Sequence, residues 1–474
     1  MKRVLSLATG LLLAGCAIPA SRPQLSPKAA PDLGLTGAPA PAIDARWWQG
    51  FGDPQLDRIV DDALNGNPTL DQALARVRQA QAVLGQRQGA ARPEVTVDAN
   101  PLLQRLPGAY IYPPPYAGRV YGIATGQANL TYNLDLFGRE RAAIAGARAD
   151  VRAAALDIEA ARLMLAGSVV QTYLDLYRAE QQAAIARQTI AARQNNLRLV
   201  EVRVRNKLAS KLDIEAASTL LAQAREALVR AEASRVLTTD ALAALAGRGA
   251  DYPATIATTQ LKADTPQPLP TTIPIDLLAR RADIAAAQAR VEAALAGRQV
   301  ARRAYYPNIN LTALAGVQSL GFSNLVTAGA LTAGIGAALH LPLFEGGRLR
   351  AGLEGATAAV DLATATYNDR VVGAVRDTAD ALARIGALQQ ERARQAEVVR
   401  GYAETGRLNN VRVASGLESR LDLIDNDIRL LDARLADADL ATDALVARVQ
   451  LILALGGGYQ PAPAVSAPAQ EAAR

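Results

Sequence analysis

The chain has 474 residues and a formal net charge of +6, and its charges are interspersed rather than gathered into a basic run, so we expect no nucleic-acid partner. It contains one cysteine and one histidine, which exclude a disulfide framework and a metal site built from several such ligands. Only 4% of its residues are aromatic and Ala is abundant, which favours closely packed helices.

The N-terminus predicts export and attachment to lipid. Lys2 and Arg3 precede an apolar segment of signal-peptide length, so residues 1–15 are predicted to be a signal peptide. The segment ends in Leu-Ala-Gly followed by Cys16, which resembles the bacterial lipobox, where the cysteine is diacylated and becomes the mature N-terminus. Ala17 follows instead of the Asp that retains lipoproteins at the inner membrane, which implies the outer membrane. The alternative is a plain signal peptide and a chance cysteine.

The rest of the chain predicts a duplicated unit between two irregular ends. Residues 16–45 are rich in Ala, Pro and Gly and are interpreted as an extended, lipid-anchored linker. We predict a first repeat over residues 46–250, a linker over 251–274, a second repeat over 275–457 and a disordered tail over 458–474. Similar segments recur at a separation of roughly 210 residues. The recurring segments are 92–97 with 306–311, 134–139 with 342–348, 208–213 with 417–422, and 245–247 with 455–457.

Each repeat is predicted to contain very long helices. No proline occurs between Tyr116 and Tyr252 or between Leu343 and Gln460. A continuous helix over residues 139–206 would be on the order of 100 Å long. Apolar residues follow coiled-coil spacing in both repeats. The predicted seams are Ile214, Ala217, Leu221, Ala224, Leu228 and Ala231 in the first repeat, and Leu417, Leu421, Ile424, Ile428, Leu431, Leu435 and Ala438 in the second.

Four segments alternate between apolar and polar or small residues and are predicted to be strands. They cover residues 95–100, 127–136, 308–317 and 331–341. Such alternation is typical of transmembrane β-barrels, although a soluble sheet with one wet face alternates equally well. Four strands are too few to close a useful barrel, so we expect several protomers to contribute four each.

Three motifs carry a resemblance to a known family. They are residues 47–56, which begin Trp-Trp-Gln-Gly-Phe, the Leu-Asp-Leu-Phe-Gly segment at 134–138, and residues 275–284. The chain resembles the outer-membrane efflux proteins of the TolC-like superfamily, specifically the NodT-type outer-membrane factor lipoproteins, over residues 46 to about 457. It departs from the family pattern at Ala282, where the family has Pro, and at Lys207, where its own second repeat has Gly416.

The resemblance implies a mixed α/β membrane protein that forms a homotrimer. Three protomers would share one 12-stranded transmembrane β-barrel in the outer membrane above an α-helical periplasmic tunnel. The implied function is passive export of small molecules, delivered by a periplasmic adaptor and an inner-membrane pump of the resistance–nodulation–division type. No enzyme, cofactor or energy-coupling loop is expected. The alternatives are a type I secretion outer-membrane channel and a non-transporting periplasmic coiled-coil lipoprotein.

The resemblance also places a periplasmic gate at the start of the helix that follows the second turn, the one at residues 416–419. Asp422 and Asp425 lie three residues apart, on one helix face, and symmetry would turn each into an acidic ring. Asp213 is the first-repeat counterpart of Asp422, and Glu418 and Arg420 flank the gate. The alternative is that these are solvated surface residues.

The turns between the long helices are predicted to meet the adaptor, since they lie at the opposite end from the strands; an unoccupied hairpin turn is the alternative. The turn residues are Lys207, Leu208, Ser210, Gly416, Leu417 and Ser419.

The single histidine, His340, is interpreted as a lumen-facing or girdle residue, because no partners for a catalytic triad are identifiable. Trp47 and Trp48 are expected to pack the start of the domain onto the helices.

Overall fold

A computed structural model describes residues 19–35, 38–262, 270–417 and 419–460. The predicted signal peptide, Cys16, Glu418 and the tail beyond residue 460 lie outside these residues. In chain order the elements are α1 (Pro54–Gly66), α2 (Pro68–Ala90), β1 (Glu94–Arg105), β2 (Val120–Asn133), α3 (Arg139–Arg205), α4 (Lys211–Leu245), α5 (Ala282–Arg303), β3 (Asn308–Leu320), β4 (Leu331–His340), α6 (Arg348–Ala414) and α7 (Arg420–Ala454).

The duplication seen in the sequence is repeated in the lengths of the helices. Helices α3 and α6 have 67 residues each, and α4 and α7 have 35 residues each. A helix of 67 residues is about 100 Å long. Helix α5 begins at Ala282, so the helix start is retained although the family's proline is missing there.

The four strands form one antiparallel sheet in the order β1-β2-β3-β4. Strand β2 ends at Asn133, so the prediction that it continues to Leu136 is wrong. Asp135 has a positive φ of 43°, which breaks the extended conformation. Its carboxylate accepts hydrogen bonds from the backbone N–H groups of Glu140 (2.9 Å) and Arg141 (3.0 Å), and so it caps the start of α3.

The chain divides into two compact units, each built from separate stretches of sequence. The first contains the sheet and the adjoining ends of the helices. The second has a continuous apolar core, in which Trp47 and Trp48 are only 2% and 5% exposed. These two residues pack the start of the domain onto the helices, as the sequence predicts. Other members of this core are Leu56, Ile59, Val60, Val169, Val170, Leu174, Leu242, Val449 and Ile452.

Residues 19–28 are held against helix α6 by hydrogen bonds, although the sequence suggests only an extended linker here. We call this segment the N-terminal strap. The backbone N–H groups of Gln24 and Leu25 both donate to Asp361 Oδ1, at 2.8 and 2.9 Å. Ser21 Oγ donates to Thr357 Oγ1 at 2.8 Å. Later residues of the strap therefore bond to later residues of α6, so the strap runs parallel to that helix.

The glycines after α7 are closely packed, although the sequence predicts a disordered tail from residue 458. Gly457 has a φ of 52°, and a Cβ atom there would lie 2.0 Å from Leu163 Cδ1. At Gly458 a Cβ atom would lie 2.5 Å from the carbonyl oxygen of Asp44. The ordered structure thus extends at least to Gln460.

Across the described ranges, no helix combines the length and the apolar character needed to cross a membrane.

Candidate functional site

The sheet has one apolar face, made by side chains that the strand register places side by side. Val97 of β1 is paired with Ala128 of β2, Ala128 with Ala315 of β3, and Ala315 with Ala333 of β4. Directly opposed residues point to the same face. The side chains of this face are exposed, with Val97 at 78% and Ile335 at 88%. Other exposed apolar residues of this face are Val95, Leu103, Leu130, Leu331 and Leu339.

The opposite face carries polar side chains that bond to one another. Asn129 Nδ2 donates to Asp98 Oδ2 at 2.7 Å, and Gln127 Nε2 donates to Asn129 Oδ1 at 3.0 Å. His340 is the last residue of β4, opposite Asn308, and its register position belongs to this polar face. The alternation predicted from the sequence is therefore present across all four strands.

Both edges of the sheet are open. Strands β1 and β4 have 12 and 10 residues, and each pairs with only one other strand of the described chain. Long open edges expose unpaired backbone groups, and an apolar face of this size is unfavourable in water. One protomer therefore has a sheet whose edges and apolar face both require other partners.

Aromatic side chains lie at both ends of the strands. At the helix-joined end, the rings of Phe137 and Tyr306 stack with centroids 5.1 Å apart, and Phe344 is 90% exposed. At the other end, the rings of Tyr116 and Tyr121 are 5.5 Å apart. Aromatic residues at both ends of an apolar band are typical of the two interfaces of a membrane.

The two predicted adaptor-contact turns have the same backbone geometry. The N–H of Leu208 donates to the carbonyl of Arg203, and that of Leu417 to Arg412, each at 2.8 Å. This six-to-one bond closes a helix C-terminus around a left-handed residue. That residue is Lys207 in the first turn (φ 59°) and Gly416 in the second (φ 71°). Lys207 thus adopts the conformation that glycine normally supplies, and the two turns have the same geometry despite the different residue.

Each turn is followed by a serine that caps the next helix. Ser419 Oγ accepts hydrogen bonds from the N–H groups of Leu421 (3.2 Å) and Asp422 (3.4 Å). In the first turn the serine bonds to Asp213 instead, since the N–H and the hydroxyl of Ser210 donate to Asp213 Oδ2 at 2.7 and 2.9 Å. These bonds, the backbone one first, lower the pKa of Asp213. The Asp213 carboxylate is therefore hydrogen-bonded within the first turn and the helix that follows it.

The predicted gate residues Asp422 and Asp425 are both exposed on the first turns of α7. Asp425 forms an ion pair with Arg429 at 2.9 Å, with both side chains more than half exposed, so the pair contributes little to stability. Asn426, directly after Asp425, is buried, and its Nδ2 donates to the Tyr402 carbonyl at 3.1 Å. Arg420 is exposed and forms no ion pair with any residue in the described ranges.

One buried polar cluster was not singled out from the sequence. Asp53 caps α1 and is 3% exposed. Its carboxylate accepts from the Tyr173 hydroxyl (2.7 Å), from Gln260 N (2.7 Å) and from Gln55 N (3.0 Å). Burial raises the pKa of Tyr173 far above its ordinary value, so this hydroxyl stays a donor. The Asp-Pro pair at residues 53–54 is a helix-start signal, but its distant partners have no local signature.

Within the described ranges, no three His, Cys, Asp or Glu side chains are arranged to hold a metal ion.

A sheet that is apolar on one face, polar on the other and open at both edges, joined to helices of about 100 Å, defines a protomer of an oligomeric membrane channel. The family model for outer membrane efflux proteins matches residues 59–248 and 273–457, and the chain belongs to this family.

Named relatives and a solved structure agree with this assignment. The multidrug resistance outer membrane protein MdtP of Escherichia coli K12 is 30% identical over 482 residues, covering 97% of this chain and 96% of that protein. The outer membrane protein OprJ of Pseudomonas aeruginosa is 32% identical over 430 residues, with 88% and 87% covered. The crystal structure of VceC from Vibrio cholerae matches with a TM-score of 0.81 and 30% identity, covering 88% of this chain and all of that chain.

These comparisons confirm the predicted resemblance and the predicted fold class, that of the TolC-like outer-membrane channels. The family is one of channels and not of enzymes.

Proposed function

We propose that this chain is the outer-membrane channel of a tripartite efflux system and lets small molecules leave the cell passively. The main observation behind the proposal is that one face of the sheet is apolar and exposed whereas the other is polar. The apolar face fits lipid and the polar face fits a water-filled lumen. Two relatives with similar full-length sequences are named for multidrug resistance and for the outer membrane, which agrees with a channel for small molecules.

The open edges support a homotrimer. Strand β4 of one protomer would pair with β1 of the next, and three protomers would close one 12-stranded barrel without an edge. Cyclic symmetry makes this heterologous contact identical at all three interfaces. Native mass spectrometry in detergent should show three copies, and a monomer that conducts ions fully would rule this arrangement out.

Two residues three positions apart on β4 allow a test of the two faces. Ile335 lies on the apolar face and Thr332 on the polar face. Ile335→Arg should lower the amount of trimer in the outer membrane, because an arginine facing lipid costs about 2–4 kcal/mol near the bilayer midplane. Thr332→Arg should leave the trimer intact and lower cation conductance in planar bilayers. If the two variants exchange these effects, the faces are assigned the wrong way round. If the wild type forms no channel, the proposed function fails.

We further propose that the hairpin turns form the periplasmic tip and bind the adaptor. Helix α3 starts just after β2 and ends at the first turn, so 67 helical residues separate the sheet from this turn along the chain. Leu208 and Leu417, at equivalent positions of the turns, are 68% and 71% exposed and offer apolar contacts. Cysteines at Ser210 and Ser419 should crosslink to the adaptor in cells, and a cysteine at Tyr132 on β2 should not. The reverse pattern would invert the polarity.

The acidic residues on the first turns of α7 are proposed to form the gate. Asp422 and Asp425 are exposed, so their charges face solvent in the protomer. Threefold symmetry would bring six carboxylates around one opening, where they favour cations. Arg420 and Glu418 would flank this opening. Asp213, which is engaged by Ser210, is proposed to support the first hairpin next to the gate.

Finally, we propose that Cys16 carries the lipid that anchors residues 16–45 to the outer membrane. Ser21 is bonded to Thr357, nine residues after the start of α6, a rise of about 14 Å. The five residues from Cys16 to Ser21 can extend about 17 Å, which is enough to reach the level where β4 leads into α6. Labelled palmitate should be incorporated by the wild type, and label that persists in Cys16→Ser would refute the assignment.

A further inference from the structure

The loop that joins β1 to β2, residues 106–119, folds over the polar face of the sheet. Leu106 continues the alternation of β1 on the polar side and is fully buried, although the strand residues around it are exposed. Its N–H donates to the Arg119 carbonyl at 2.8 Å, and its carbonyl accepts from Gly118 N at 3.1 Å. The strands are therefore still paired at Leu106, and its side chain is buried on the polar side.

A pair of tyrosines fixes the side on which the loop lies. Tyr121 is opposite Gln104 in the register and belongs to the polar face. The ring of Tyr116, from the loop, lies 5.5 Å from the ring of Tyr121. The Tyr121 hydroxyl also points at the Pro115 carbonyl, at 3.4 Å. The loop thus contacts the sheet through a residue that faces the proposed lumen.

The loop between β3 and β4 lies on the other side. The register places Gly122 on the apolar face, opposite Leu103. A Cβ atom on Gly122 would come within 2.5 Å of the Phe322 ring, so that ring rests on the apolar face. The two loops are therefore not equivalent, and only the β1–β2 loop approaches the polar face through a packed aromatic pair.

The composition of the β1–β2 loop suits contact with aromatic and cationic groups. Of the chain's 13 tyrosines, three lie in this loop, and Tyr121 follows on β2. Tyr110 is 68% exposed, and its ring lies 5.9 Å from that of Tyr112. The three prolines at 113–115 restrict the backbone, so the rings are held in place when a solute arrives. Tyrosine faces attract cations and pack against other rings.

We propose that residues 106–119 form an aromatic collar at the outer end of the channel, which narrows the exit and binds exported organic cations that carry an aromatic ring. The inference rests on the proposed function, in which the polar face lines the lumen. Three copies of the collar would surround one opening, so each solute meets several tyrosines as it leaves.

Single cysteines test the position of the collar. Cys16 is the chain's only cysteine, so Cys16→Ser provides a background without other thiols. Tyr116→Cys tests the collar, Gln127→Cys tests the polar face, and Leu103→Cys is the control on the apolar face. A cationic methanethiosulfonate reagent should lower single-channel conductance at Tyr116→Cys and Gln127→Cys, in up to three steps, and should leave Leu103→Cys unchanged.

The outcomes separate the collar from the function on which it rests. If Gln127→Cys responds and Tyr116→Cys does not, the lumen is assigned correctly and the collar is wrong. If neither responds although the channel conducts, the polar face does not line the lumen, and both the collar and the assignment of the faces are wrong; if the wild type does not conduct, the proposed function itself fails.

A second experiment tests the chemistry. Phenyltrimethylammonium and tetraethylammonium are organic cations with and without an aromatic ring, and their permeabilities can be compared by reversal potential. Replacing Tyr110, Tyr112 and Tyr116 together by Leu keeps apolar bulk and removes the rings, whereas replacing them by Phe keeps the rings. The preference between the two cations should disappear in the Leu variant and persist in the Phe variant. A Leu variant that retains the wild-type preference would overturn the binding role.

Discussion

Gly457, three residues after the end of α7, provides a test of the packing in the second compact unit. Its φ of 52° lies in the left-handed region, where an L-residue is disfavoured by about 1–2 kcal/mol. A Cβ atom would also meet Leu163 Cδ1 at 2.0 Å, and such overpacking costs about 1–3 kcal/mol. We therefore expect Gly457→Ala to lower the free energy of unfolding by about 2–5 kcal/mol.

Gly346 supplies the matched control. Its φ of 58° is almost the same, but no atom lies within 4 Å of the position of its Cβ. Gly346→Ala should therefore show only the backbone cost of about 1–2 kcal/mol. Thermal unfolding of the detergent-solubilised protein, at one fixed scan rate, should rank the wild type above Gly346→Ala and Gly346→Ala above Gly457→Ala.

A double variant identifies the clashing atom. If the overlap with Leu163 is the cause, Leu163→Ala should remove part of the penalty, so that the double variant loses less stability than the sum of the two single variants. Additive losses, or equal losses in Gly457→Ala and Gly346→Ala, would show that the close contact with Leu163 does not determine the stability of this region.

Three further predictions concern charged and hydrogen-bonded groups. Asp422→Asn with Asp425→Asn should reduce cation selectivity and block by divalent cations in planar bilayers without reducing the amount of trimer; an unchanged reversal potential would mean that these are ordinary surface residues. The hydrogen bonds from Ser210 lower the pKa of Asp213 below its ordinary value of 3.8. The ionised carboxylate therefore stabilises the first turn fully above pH 3.8, and this stabilisation is lost as the pH falls through the lowered pKa of the folded state. Amide exchange in that turn should accordingly be faster in Asp213→Asn than in the wild type at neutral pH, with a difference that shrinks in acid. Tyr173→Phe should destabilise the protein by about 1–3 kcal/mol in chemical unfolding, because Asp53 loses a buried donor; no loss relative to a Tyr177→Phe control would contradict this.

Features with a local period in the sequence could be predicted. In α4 four of the six predicted seam residues, Ala217, Leu221, Ala224 and Ala231, are buried. The other two, Ile214 and Leu228, are half-buried. The strand faces follow from alternation, and the two turns follow from the interruption of the helical pattern. Leu417 is an exception, because it belongs to the turn and is 71% exposed although its spacing fits the α7 seam. Heptad spacing alone does not show where a helix begins.

Features that depend on a single conformation or on distant partners could not be predicted. The alternation continues past Asn133, but Asp135 turns the chain by adopting a positive φ. Lys207 has the same left-handed conformation as Gly416, which no propensity scale suggests for lysine. Asp53 accepts hydrogen bonds from Tyr173, 120 positions away, and from Gln260, 207 positions away. No local sequence pattern near any of these residues indicates such distant hydrogen bonds.

The N-terminal strap also constrains the order in which the protein can fold. Ser21 and its partner Thr357 are 336 positions apart, so the strap has no docking surface until most of the chain has been made. If Cys16 is lipidated as proposed, the residues beside it would still be undocked while this surface is being made, and the modifying enzymes would meet an accessible substrate. The first segment that the structure describes is thus among the last to reach its native contacts.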